Sequence, residues 1–407
     1  MASASDSGIA DVFVRIRPEN EKEKKYKAKG KEKFLEDYDE GSLTIDGRKG
    51  KTSRRVYDFP KLVLGPTCSQ EEAYVSLGLD KLLDKFLFHN EDVSLLAYGQ
   101  TGSGKTHTMF GDGLTRQEIR RVLARDPGED DGGEGVERCP GGWGIFPRTV
   151  LSALDKIRRP EKLQTAADSS YKVVSWRLSA SVIEMYFGEI KDLLDAKRVI
   201  PVGWTSNKDF DYNVTKQMPV KSEEDLKKLI EVVFTERQSR GTLMNESSSR
   251  SHCLTTLFLS RVLEDTTGKK FVSQTMMQFV DLSGSERTVK TGLSGTDQIK
   301  GTMTGMEGIM INIDLWALGY AVDVRKSMKN RRGKLSDGQK TGSRMRQWAF
   351  PSFLCNLLSR TINGETNCVV ILCISPSPYN GAETAFTTGW PHFKSLSYLG
   401  KGSKISL

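Results

Sequence analysis

Residues Gly99-Gln100-Thr101-Gly102-Ser103-Gly104-Lys105-Thr106 have the types and spacing needed to hold a chain of phosphates. They follow the apolar run at 92–98, which reads as a buried strand, so the expected context is strand, glycine-rich turn and helix. Glycine lets backbone N–H groups turn inward, and a helix N-terminus adds positive potential. The Lys105 ammonium would reach the outer phosphates, and the Thr106 hydroxyl is a magnesium ligand by type. A purely structural glycine turn is the competing reading, and the strand in front of it argues against that.

A phosphate loop leaves several nucleotide chemistries open. The polar run Asn245-Glu246-Ser247-Ser248-Ser249-Arg250-Ser251-His252 brings hydroxyls suited to magnesium or a γ-phosphate, together with a fixed cation. Val280-Asp281-Leu282-Ser283-Gly284-Ser285-Glu286 follows an apolar strand, as an acid ordering a magnesium shell should, and Gly284 leaves room for its N–H to meet a phosphate. Singly each signal is weak: a serine-rich run is more often a loop, and an Asp at a strand end is often a helix cap. A guanine reader of the Asn-Lys-x-Asp type is missing, because in Asn207-Lys208-Asp209-Phe210 the acid comes one position early. ATP is therefore the expected nucleotide.

Strands and helices that could position these groups alternate along the chain. Residues 11–17 alternate like a strand and stop at Pro18, and 41–58 read as weak strands with glycine turns. Ser69-Gln70-Glu71-Glu72 is a capping box opening a helix to about residue 88. The Gly-, Asp- and Glu-rich stretch 111–144 suits a surface insertion with one helix near 118–124. Residues 173–186 read as paired strands, 222–238 as an amphipathic helix, and 253–262 and 270–280 as strands joined by a turn. Helices are expected at 302–325 and 351–360, and a last buried strand at 367–374. No linker-like break or repeat divides this series, so a single domain is expected.

Composition bounds the setting. The 407 residues, 37% hydrophobic, suit a folded globular chain. No run nears the roughly 20 apolar residues that span a bilayer, and residues 1–10 lack a secretory core, so an intracellular protein without a membrane partner is expected. The six cysteines form no Cys-x-x-Cys pair, which points to neither a zinc site nor a disulfide framework. The net charge of +8 is concentrated: 21–33 mixes lysine with glutamate, while 325–346 holds nine Arg or Lys against one acid, Asp337. The second run fits an acidic partner or a solvated loop. It lacks the aromatic platform of a nucleic-acid reader, and nucleic acid is not expected as a partner.

Taken in order and at these spacings, the motifs resemble the kinesin motor domain over nearly the whole chain. Arg15-Ile16-Arg17-Pro18 looks like that family's adenine-side segment, 98–109 its phosphate loop, 245–252 its first switch and 281–286 its second, with Ser283 where alanine is usual. Val56-Tyr57-Asp58-Phe59, Ile183-Glu184-Met185-Tyr186, Gly144-Ile145-Phe146-Pro147-Arg148, Ile311-Asn312 with Ala317-Leu318-Gly319, and Ile374-Ser375-Pro376-Ser377 also match. The resemblance implies an α/β fold of the P-loop NTPase, kinesin-like motor type, a central mixed β-sheet flanked by α-helices on both faces. The motor would span 10–400, between an N-terminal extension (1–9) and a tail or neck-linker remnant (401–407).

The same resemblance implies a microtubule-binding ATPase that turns hydrolysis into movement or force, placed on the microtubules of the cytoplasm. The alternative is a non-motile, slow-cycling structural or regulatory microtubule binder. Carried over by position, Thr106, Ser249 and, through water, Asp281 would hold Mg2+; Asn245 and Ser248 would sit near the γ-phosphate; Gly284 would sense it. Arg250 and Glu286 would pair to close the switches, while Arg15, Pro18 and His107 would flank the adenine. Tubulin contacts would come from Lys290, Lys326, Lys329, Arg331, Arg332, Lys334, Lys340, Arg344 and Arg346. A homodimer would need segments absent from this chain, since no heptads follow.

Two stretches depart from the family pattern. Where a Tyr-Arg-Asp-Ser-Lys-Leu-Thr helix is usual stands Ala349-Phe350-Pro351-Ser352-Phe353-Leu354-Cys355-Asn356, with apolar residues replacing charged contacts. Trp348, Phe350 and Phe353 are read as core, with an apolar patch meeting a partner as the other option. Near the end, Trp390-Pro391-His392-Phe393-Lys394 places a proline inside the expected last helix, at a cost of about 3 kcal/mol.

Overall fold

The structure, a computed structural model, describes residues 10–27, 35–45, 55–58, 62–111, 141–158, 171–201, 210–238, 250–285, 312–324, 352–381, 384–385 and 387. Its strands are β1 (Asp11–Ile16), β2 (Leu35–Tyr38), β3 (Ser42–Ile45), β4 (Arg55–Asp58), β5 (Val63–Leu64), β6 (Val93–Tyr98), β7 (Tyr171–Tyr186), β8 (Glu189–Asp192), β9 (Arg198–Ile200), β10 (Met218–Pro219), β11 (His252–Asp265), β12 (Lys270–Asp281) and β13 (Asn367–Ile374). Its helices are α1 (Glu21–Lys27), α2 (Gln70–Ser76), α3 (Leu79–Phe88), α4 (Lys105–Met109), α5 (Ile145–Ile157), α6 (Glu223–Gln238), α7 (312–324), α8 (Phe353–Leu357) and α9 (Ser359–Asn363).

Among the described residues the main sheet runs β5-β1-β13-β6-β12-β11-β7-β8-β9, with β10 paired to β7. It is mixed. From β5 to β12 neighbouring strands are parallel, and from β12 to β9 they are antiparallel. A separate small sheet joins β2, β3 and β4.

Every residue of β1, β6 and β13 is buried, which is the mark of strands covered on both faces. Leu95 and Ala97 of β6 point into one apolar cluster with Leu82 and Phe86 of α3, Phe146 and Val150 of α5, and Leu229 and Val233 of α6. Leu96 and Tyr98 point the other way, into a cluster with Leu318 and Val322 of α7, Leu354 of α8 and Ile362 of α9. Alternation along one strand thus feeds two helical layers. Each fully buried Leu or Phe of this kind contributes about 1.5–3 kcal/mol.

Three expected elements differ in the structure. The helix expected from 69 to 88 is two, α2 and α3, because Gly78 adopts left-handed backbone (φ 65) and turns Leu79, Leu82, Leu83, Phe86 and Leu87 onto the sheet. The Ser69–Glu72 capping box opens the first of them as expected. Residues 173–186 are not paired strands but the larger part of one 16-residue strand, β7, which pairs along its length with β11; the chain turns only at Phe187 and Gly188. The helix expected at 351–360 is two short ones meeting at Leu358, with Ser352 capping α8. Phe353 is 6% exposed and belongs to the core, as read, while Trp348 and Phe350 lie outside the described residues.

Asp314 on α7 accepts from the Ser352 hydroxyl at 3.0 Å, tying α7 to the cap of α8. Burial pushes its carboxyl from 3.8 up to about 7, against a small opposing pull from Ser352. The folded form therefore binds the proton more tightly than the unfolded one. This group's stabilising contribution is present below pH 4 and is lost as the pH rises through about 7. Asp314→Asn should remove that dependence and raise the melting temperature at pH 8 by about a degree or two. Melting curves for both proteins between pH 5 and 8 measure it, and parallel curves would contradict the assignment.

Candidate functional site

The loops that leave the carboxyl ends of β1, β6, β12 and β13 meet over one edge of the parallel half-sheet, where α/β folds of this kind hold ligands. β6 lies between β13 and β12, with Ala97 opposite both Ile371 and Asp281, so the turn after Tyr98 emerges between two strand ends. That turn is the glycine loop. A Cβ on Gly99 would lie 2.2 Å from the Cys373 carbonyl oxygen, so no larger residue fits. Gly104 has φ 98 and sits at the head of α4. Lys105, 6% exposed, folds back to donate to the Gly99 and Gln100 carbonyls, both at 2.8 Å.

Beneath the loop, the Thr106 hydroxyl donates to Asp281 Oδ2 at 2.6 Å. The same oxygen accepts from Arg237 Nη1 at 2.5 Å, and Arg237 also donates to the Ser251 carbonyl at 3.0 Å. Burial works against the charge on Arg237, and the Asp281 carboxylate more than restores it, holding the guanidinium's pKa above its ordinary value. Beside this pair, the Ser283 N–H donates to His252 Nδ1 at 3.1 Å, and burial, aided by Arg237 and Lys105, lowers the imidazole to about 3. The neutral ring links the head of β11 to the segment after β12. The Ser285 N–H donates to the Gly99 carbonyl at 3.1 Å, so that segment also leans on the glycine loop.

Three of the nine buried side-chain atoms without a hydrogen-bond partner among the described residues, Gln100 Oε1, Ser103 Oγ and Asp281 Oδ1, lie on the loop or the strand end beside it. Buried polar atoms left unsatisfied are costly and mark places where water, an ion or a ligand belongs. A hydroxyl and a carboxylate oxygen in contact, with the second carboxylate oxygen unpaired, form an oxygen donor set that fits magnesium.

On the far side of the loop, Arg15 is buried, with its guanidinium on Gln70 Oε1 (2.8 Å), Thr108 Oγ1 (3.1 Å) and the Cys68 carbonyl. Gln70 in turn donates to the His107 carbonyl at 2.7 Å, so Arg15 fixes the base of the His107 segment from behind. Pro18 is exposed, and its carbonyl accepts from Arg17. Arg17 reaches the loop itself, with Nε donating to the Gly102 carbonyl at 2.5 Å.

The structure thus brings Arg15, Pro18, Gly99–Thr106, His107, Asp281 and Gly284 to one edge, with Arg250 in a short turn that leads into β11. Asn245, Ser248, Ser249, Glu286, Lys290 and the basic run 325–346 lie outside the described residues. Arg237 and Gln70 escaped the sequence reading, and Arg17 stood in the Arg15–Pro18 motif without a role of its own. Arg237 resembles any cation in the last turn of a helix, and Gln70 stood in plain view only as part of a cap. No local pattern separates either from its neighbours.

Arg237→Ala would leave the Asp281 carboxylate buried and unpaired, a change that costs about 3–5 kcal/mol. Adding Asp281→Asn should return part of that loss. Urea unfolding of the single and double variants measures both, and a loss under about 1 kcal/mol in the single variant would show that the pair is not what holds this strand end together.

Comparison with known proteins places this geometry. A profile of the kinesin motor domain matches residues 15–392. The kinesin heavy chain of Drosophila melanogaster is 30% identical over 379 residues, covering 92% of this chain and 32% of that protein. The kinesin heavy chain of Caenorhabditis elegans is 31% identical over 381 residues, covering 92% of this chain and 38% of that protein. The chain therefore spans about a third of the length of these relatives. Among solved structures, a fast kinesin superposes with a TM-score of 0.67 at 22% identity, covering 98% of this chain and 93% of the other. The mixed sheet with helices on both faces is the fold they share, and the chain belongs to the kinesin motor-domain family.

Proposed function

We propose that this chain is a microtubule-binding ATPase that couples hydrolysis to movement or force. The observation that carries the reading is the contact of Thr106 with Asp281 beneath the phosphate loop, with Asp281 Oδ1 buried and unpaired. Thr106 and Asp281, together with Ser249 by its place in the family motif, would hold magnesium, which supplies charge neutralisation on the β- and γ-phosphates. Lys105 exchanges its two loop carbonyls for phosphate oxygens, a trade that replaces neutral acceptors with charged ones. Arg237 pairs with Asp281 and keeps its carboxylate aimed at the loop. By the family pattern, Asn245 and Ser248 contact the γ-phosphate, Gly284 senses it, and Arg250 pairs with Glu286 to position the attacking water.

The link from turnover to stepping is where a second reading has support. Phe353 and Cys355, at positions that carry Lys and Thr in the usual tubulin-facing helix, are buried at 6% and 1% exposure, and α8 is only five residues long. Side chains buried there make no contact with a partner. That favours, as the alternative, a slow-cycling microtubule binder that does not move.

Steady-state ATPase with and without microtubules, beside a gliding assay, separates the two. Stimulated turnover with gliding supports the motor; turnover without gliding supports the binder; no hydrolysis at all overturns the enzymatic reading. Glu286→Ala should bind ATP but lose at least about 100-fold in kcat, and an unchanged kcat would remove the water-positioning role. If the basic run tethers the domain to an acidic surface, neutralising Lys326, Lys329, Arg331, Arg332 and Lys334 should weaken co-sedimentation with microtubules several-fold at low salt and less at high salt. Equal binding at both ionic strengths would count against it.

A further inference from the structure

Glu23 has no exposed surface, although it stands in a run that mixes lysine with glutamate. Its first tie is local. The Glu23 N–H donates to Asn20 Oδ1 at 3.0 Å while the Asn20 N–H donates to Glu23 Oε2 at 2.8 Å, a reciprocal box that starts α1. Three further donors converge on it, two of them from far along the chain. Arg17 spans both carboxylate oxygens, Nη1 to Oε2 and Nη2 to Oε1, each at 2.7 Å. The Ser375 hydroxyl, just past β13, donates to Oε1 at 2.7 Å, and Asn380 Nδ2 donates to the same oxygen. Burial alone would raise this carboxyl; the hydrogen bonds from Arg17, Asn20 and Ser375 outweigh it and hold the group at about 2.

The partner that matters is Arg17. Its Nε donates to the Gly102 carbonyl at the tip of the phosphate loop, and Nη1 also donates to the Pro18 carbonyl. A guanidinium anchored in its own plane at both ends keeps one orientation and offers a ligand only its flat face, the geometry suited to stacking on a base. Without Glu23, the bond to Gly102 would rest on a side chain with free rotamers, and both the loop tip and that face would lose their register.

We propose that Glu23 is a positioning residue of the nucleotide site: its carboxylate locks Arg17 across the loop tip, and its bonds to Ser375 and Asn380 tie that lock to the segment following β13. The inference rests on the reading that the loop binds a nucleotide. Removing the lock lets nucleotide leave faster without touching the groups that cleave it.

The test uses release of N-methylanthraniloyl-ADP with magnesium and steady-state ATPase on Glu23→Gln, Arg17→Met and the double variant. Each single variant should speed release and raise the KM for ATP about tenfold with little change in kcat, and the double variant should be no worse than either, as coupled residues behave. Should Glu23→Gln fail to fold, Arg17→Lys, which keeps the charge but cannot bridge two anchors, and Ser375→Ala carry the same expectation, the latter with a smaller effect. Fully additive losses, or a lower melting temperature with KM and release unchanged, would overturn the positioning role. If the wild-type protein fails to bind the analogue, the nucleotide reading itself falls, and this inference falls with it.

Discussion

Burying the Asp281 carboxylate at the end of β12 is the constraint on which the site depends. A charge removed from water must be paired, and here the partners come from two helices far apart in sequence, Arg237 on α6 and Thr106 on α4. Satisfying that one carboxylate sets where α6 ends against the sheet and how α4 leaves the phosphate loop. It also aligns the strand ends: β12 has to finish opposite Ala97, beside the point where β6 becomes the loop. The interaction is less a source of stability than of register, since replacing a well-paired buried ion pair with apolar groups is often neutral while breaking one side is not.

Around this core of charge, the loop is held by polar contacts from three directions. Lys105 is bonded to carbonyls of its own loop, the Gly99 carbonyl takes a bond from Ser285 of the second switch segment, and Arg17 takes the Gly102 carbonyl. The carbonyls that hold Lys105 are neutral acceptors of the kind that phosphate oxygens outbid, whereas the bond from Arg17 to Gly102 belongs to the proposed lock. The loop is thus bonded to the segment after β12 through Ser285 and to the segment after β13 through Arg17, Glu23 and Ser375. Two polar routes leave the same eight residues toward different parts of the chain.

The sheet supplies the rigidity these routes require. Strands buried on both faces cannot slip without exposing a whole apolar row, so β1, β6 and β13, with the buried second half of β12, hold their loops at fixed spacing. The helices on the second face are less regular. α8 and α9 are single short turns where one helix was expected, and the apolar residues at 353–358 settle into the core. A face rich in buried side chains anchors a segment well and leaves it little surface for a partner.

The sequence alone determined the phosphate loop, the strand before it, the aspartate at the end of a second apolar strand and the capping box at Ser69, because each is set by neighbours within a few residues: apolar alternation, glycine where φ is positive, a hydroxyl three places before a glutamate. Only the tertiary structure decided which charges are paired. Arg237 and Glu23 look like ordinary charges in their helical setting and Arg17 is one residue of a longer motif, and they become paired at the site because a parallel sheet gathers the ends of β1, β6, β12 and β13 within bonding distance. The break at Gly78 and the length of β7 were set the same way, by the shape of the sheet that those segments had to cover or extend rather than by local preference.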